Sequence, residues 1–80
     1  MNEKSKIMQR EAVRNIQSWL TKYMKASNLS QRGLANQLGV SKQQVWSILQ
    51  ENWNPSIKII CNIANILNIS PSSILKKPPK

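Results

Sequence analysis

LSQRGLANQLGVSKQQVWSIL, from Leu29 to Leu49, is the stretch whose reading decides the fold. Leu34, Ala35 and Leu38 recur at the spacing that lines one face of a helix, and Gly39 follows where a helix ends on a left-handed residue. Val40 then offers an apolar plug for a turn. Ser41 can open a second helix by accepting a hydrogen bond from a backbone N–H two or three residues on, and Ser30 can do the same for the first. In the second helix Val45, Ile48 and Leu49 share one side. Gln43, Trp46, Ser47 and Gln50 form an i, i+3, i+4, i+7 stripe on the other. The pattern predicts two short helices joined at Gly39, one face of the second packed and the other free to touch a partner.

Towards the N-terminus, Ala12, Val13, Ile16, Leu20, Tyr23 and Met24 recur at helical spacing, which predicts an amphipathic helix from about Gln9 to Ala26. The residues before it, 1–8, are polar and basic and read as an arm or a frayed helix start. Towards the C-terminus, Asn54-Pro55-Ser56 punctuates a loop, and Ser56 can cap a further helix from about Ile57 to Leu67. Lys58, Asn62 and Asn65 form its one polar stripe, so it is expected to be the central element of the core. Pro71 suits the first turn of a short last helix, from which Ile74 and Leu75 return inward. The division expected is a basic arm at 1–8, one domain at 9–76 and a basic tail at 77–80.

Composition narrows the chemistry. Eighty residues make one small domain that removes only about 60% of its unfolded surface on folding. Twelve Lys and Arg against three Asp and Glu give a formal charge of +9, which concentrates polyanions around the chain. Nucleic acid is therefore the leading partner class, against the alternative of a merely soluble basic surface. With no His and a single cysteine, Cys61, neither an intrachain disulfide nor an ordinary zinc site can be assembled, and no cofactor is expected. The acids are Glu3, Glu11 and Glu51, with no His to serve Ser or Cys as a base, so no enzyme is expected. No signal peptide or membrane-spanning run of about 20 apolar residues is visible, which points to a cytoplasmic chain with no membrane partner.

Over about residues 16–75 the chain resembles the phage-repressor class of helix-turn-helix proteins, the family of lambda repressor and Cro-like regulators. The residues that carry the resemblance are Ser30-Gln31, Leu34-Ala35, Leu38-Gly39-Val40-Ser41, Val45, Ile48, Asn54-Pro55-Ser56, Ile63-Ala64, Leu67 and Ile69-Ser70. It implies an all-α fold: a compact lambda-repressor-like bundle of five helices with the helix-turn-helix at the second and third. The third helix, about 41–50, would read the major groove of an operator in double-stranded DNA. Lys42, Gln43 and Ser47 would face base edges, and Gln44 would sit close to bases or sugar. Gln31, Arg32, Ser41, Gln50 and Asn52 would hold the backbone. The function implied is a sequence-specific transcriptional regulator, a repressor of phage or mobile-element type.

Three residues depart from that pattern. Trp46 stands in the reading stripe where the family carries a small or polar side chain; it reads as a contact to a thymine methyl or sugar, as core packing, or as a protein contact. Gly33 occupies a helix interior, and Glu51 replaces the glycine common after the third helix. Such proteins commonly bind as dimers, and Ile59 and Ile66 at the edge of the fourth helix are the candidate interface, with core packing as the alternative. The competing function is a protein-interaction module on the same fold, an antitoxin or a regulator's partner, using Trp46, Trp53 and the apolar fourth helix. Between Arg32 and Lys58 the only cation is Lys42, so phosphate anchoring is expected from outside the motif, from Lys4 and Lys6 of the arm or from Lys76, Lys77 and Lys80, with a solvated charge run as the alternative.

Overall fold

The computed structural model describes residues 3–79, with side chains from residue 10 onward. The five helices are α1 (Glu3–Ser27), α2 (Gln31–Leu38), α3 (Lys42–Ile48), α4 (Ile57–Leu67) and α5 (Pro71–Ile74), and no strand occurs among the described residues.

Local chemistry starts and stops these elements in a repeated way. A serine caps each of the last four helices: Ser30, Ser41, Ser56 and Ser70 accept from the backbone N–H of Gly33, Gln44, Ile59 and Ser73 at 3.1, 3.1, 3.3 and 3.2 Å. Each such bond satisfies a donor that the helix geometry would leave open. Pro71 stands at the first turn of α5, where its missing N–H costs nothing. Three helices end on a left-handed residue, Asn28 (φ 53°), Gly39 (φ 70°) and Asn68 (φ 57°). In each case the following residue, Leu29, Val40 or Ile69, donates back to a carbonyl five residues earlier at 2.8–3.0 Å.

α3 and α5 end without a left-handed residue, at Leu49 and Leu75. At the end of α3 the last carbonyls need another donor. Gln17 of α1 supplies it, its Nε2 donating to Ile48 O at 2.8 Å and Gln50 O at 2.7 Å. That amide ties the end of α3 to α1 across 31 and 33 residues of chain.

All five helices contribute to one core. Ile16 and Leu20 come from α1, Leu34, Ala35 and Leu38 from α2, Val45 and Ile48 from α3, Ile63 and Ala64 from α4, and Ile74 from α5. Trp19, Tyr23, Trp53 and the isoleucines at 59, 60, 66 and 69 pack around it half-buried.

Three features differ from the sequence reading. α1 begins at Glu3 rather than near Gln9, because backbone hydrogen bonding carries a helix past the point where apolar spacing stops marking it. α4 meets α1, α2 and α5, as a central element does, but it is less completely covered than its composition implies. It buries only Ile63 and Ala64 fully, and its first two residues lie outside the packed layer, Ile57 being 80% exposed beside exposed Lys58. The segment after α5 lies along α1: Asn15 Nδ2 donates to Leu75 O at 2.8 Å, Trp19 Nε1 to Lys76 O at 2.8 Å, and Lys22 Nζ to Pro79 O. These donors recur at i, i+4 and i+7, one stripe of the helix, and they leave the Lys76 and Lys77 side chains exposed.

Candidate nucleic-acid interface

α3 is short, but it is held at both ends and along one side. At its start Ser41 and Gln44 form a reciprocal capping box: Gln44 N donates to Ser41 Oγ, and Ser41 N donates to Gln44 Oε1, both at 3.1 Å. At its end stands the Gln17 clamp. Along its inner side Val45 and Ile48 are buried in the core, where α2 packs against it. A helix so fixed presents its outer residues at defined positions, as recognition of base edges requires.

Those outer residues are Lys42, Gln43, Gln44, Trp46 and Ser47, all exposed. Lys42 and Gln43 extend long polar side chains that make no hydrogen bond to another described residue. Ser47 Oγ donates to Gln43 O at 3.2 Å, which leaves its oxygen as an acceptor. The Gln44 carbonyl is engaged by the capping box, so its amide N–H2 is the group it retains for a partner. Trp46 is 55% exposed and stands outside the core, which removes core packing from the readings of this residue.

The flanking positions fall around this stripe. Ser41 and Arg32 are exposed and Gln31 is half-buried, at the starts of α3 and α2. Gln50 is half-buried, its Nε2 donating to Trp46 O at 3.0 Å, and Asn52 is exposed in the loop that follows. Lys4 and Lys6 lie outside the residues whose side chains are described. Ile59 and Ile66 are half-buried against the core, and the exposed isoleucine of α4 is Ile57. Trp53 is half-buried against the core. A Cβ at Gly33 would come within 2.8 Å of Leu29 Cδ2, the movable end of a half-buried side chain.

Sequence reading missed two contributions from α1. One is Gln17. The other is the pair Arg10 and Arg14, which line a cleft against the loop carrying Glu51, Asn52 and Trp53. Both depend on side chains meeting a distant loop, for which a single sequence carries no periodic signal.

The helix-turn-helix family model matches residues 20–74, from the middle of α1 to the end of α5. No curated protein and no solved structure matches significantly. No described helix is long and apolar enough to cross a membrane. With its paired helices turned at Gly39, its exposed α3 stripe and a family match over most of its length, the chain belongs to the lambda-repressor-like helix-turn-helix family of DNA-binding regulators.

Proposed function

We propose that the chain is a sequence-specific reader of double-stranded DNA that represses transcription for a phage or other mobile element, with α3 in the major groove. The observation that carries this reading is the exposed stripe of Lys42, Gln43, Trp46 and Ser47 on a helix whose inner face is buried through Val45 and Ile48. Lys42 donates to guanine O6 or N7, Gln43 pairs with adenine, and Ser47 meets either base. The Trp46 indole covers a thymine methyl. Gln44 reaches a base or sugar edge through its amide N–H2. Gln31, Arg32, Ser41, Gln50 and Asn52 contact phosphates, which fixes register without reading sequence.

The chain acts as a homodimer on DNA in the cytoplasm, without a cofactor or catalytic group. The exposed Ile57 and the uncovered parts of Ile59 and Ile66 on α4 face the second copy. The exposure of Trp46 also favours a second reading, in which the same stripe docks on a protein partner.

Selection of bound fragments from a random duplex pool separates the two. The expected result is enrichment of one motif, in two inverted copies about 34 Å apart for a dimer. Recovery of no motif would overturn the reading and move the function to the protein partner.

A further inference from the structure

The helix-turn-helix of this chain is poor in charge, since Lys42 is the only basic residue between Arg32 and Lys58. The fold brings cations to it from elsewhere. Arg10 and Arg14 stand one turn apart on one face of α1, and they line an open cleft of about 560 Å³ with Gln17, Glu51, Asn52 and Trp53. The bonds from Gln17 to Ile48 O and Gln50 O fix this stretch of α1 against the end of α3. Gln50 in turn bonds to the Trp46 carbonyl, so the exposed stripe of α3 runs directly into the loop that forms the far wall of the cleft.

We infer that this cleft is a phosphate clamp, in which Arg10 and Arg14 grip the DNA backbone beside the groove that α3 enters. The inference rests on the reading of α3 as the DNA-facing helix. Guanidinium groups suit the task because their planar fork donates two parallel hydrogen bonds to a phosphodiester. The Asn52 amide adds a neutral donor from the opposite wall. The Glu51 carboxylate lines the same cleft and opposes the anion, so it weakens the clamp. Both arginines lie before the span that the family model matches.

The test compares wild type, Arg10→Gln, Arg14→Gln and Glu51→Gln on the selected duplex and a scrambled one across a salt series. Each arginine variant should weaken binding to both duplexes by the same factor and flatten the logarithmic salt dependence by about 0.9 for each phosphate no longer neutralised. Glu51→Gln should strengthen binding to both, and the ratio between duplexes should stay constant in all variants. Arg14→Lys keeps the charge without the fork and should fall between wild type and Arg14→Gln, a graded effect that misfolding would not give. Unchanged salt slopes in both arginine variants would overturn the clamp. So would titration with inorganic phosphate that saturates wild type and fails in the variants while duplex affinity holds, because the cleft would then serve a small free anion. A flattened slope without any selected motif would retain the clamp and remove the base-reading role of α3. A motif with unchanged slopes would do the reverse.

Discussion

Leu34→Ala is expected to lower the unfolding free energy by about 2–5 kcal/mol, at a site that touches no partner. Leu34 is fully buried at the middle of α2, in the cluster to which every helix contributes. Truncation removes apolar atoms and leaves a cavity that the close-packed surroundings fill only in part. In a domain this small the whole margin of stability is on the order of 5–15 kcal/mol, so the variant loses a large share of it. The melting temperature should fall by roughly 10–30 °C, since each kcal/mol moves it by about 4–8 °C at this size. Lys25→Ala is the control: that side chain is exposed, and its loss should change stability by less than about 0.5 kcal/mol. Thermal denaturation of both variants checks the packing, and comparable small shifts in the two would contradict it. Saturation with operator should recover part of the Leu34→Ala loss, about 2.7 kcal/mol at a hundredfold excess over Kd, because only the folded state binds.

The second large effect is on selectivity. Removing the Lys42 and Gln43 side chains deletes two base contacts, each worth about 1–3 kcal/mol of discrimination. Each single alanine variant should therefore weaken binding to the selected duplex by about 5- to 150-fold relative to a scrambled one. Neither side chain is buried or bonded to another described residue, so the melting temperature should stay near that of wild type. Trp46→Ala should behave differently. If the indole covers a thymine methyl, the variant loses affinity on the thymine duplex but little on the same duplex with uracil, which lacks that methyl. Equal losses of affinity on selected and scrambled duplexes for Lys42→Ala and Gln43→Ala would mean that α3 supplies charge and no reading.

Much of this architecture is legible in the chain because its signals are local. Ser30, Ser41, Ser56 and Ser70 bond to donors three residues away, Gly39 fulfils the left-handed position that ends α2, and Pro71 opens α5. The burial of Leu34, Ala35 and Leu38 and of Val45 and Ile48 follows from helical spacing in the same way. What the sequence does not reveal is how the long helix α1 organises the remainder. Gln17 reaches carbonyls 31 and 33 residues away, and Asn15 and Trp19 reach carbonyls 60 and 57 residues away. A carbonyl is present at every residue, so the acceptor leaves no mark in the sequence, and only the fold shows which one is used. For the same reason the sequence does not show that Arg10 and Arg14 of α1 lie across a cleft from the loop after α3. The apolar excess of α4 misled in the other direction. Composition made it look wholly enclosed, but in a small bundle even a helix packed on three others buries few positions fully, here Ile63 and Ala64.

The central claim is that α3 enters the major groove through Lys42, Gln43, Trp46 and Ser47. Methylation protection on the selected duplex tests it most directly, because guanine N7 lies in the major groove and adenine N3 in the minor. The account predicts protection of guanine N7 within the selected motif, loss of protection at one guanine in each half-site with Lys42→Ala, and unprotected adenine N3 alongside. Protection confined to adenine N3, or free methylation of every guanine N7 in a saturated complex, would contradict it.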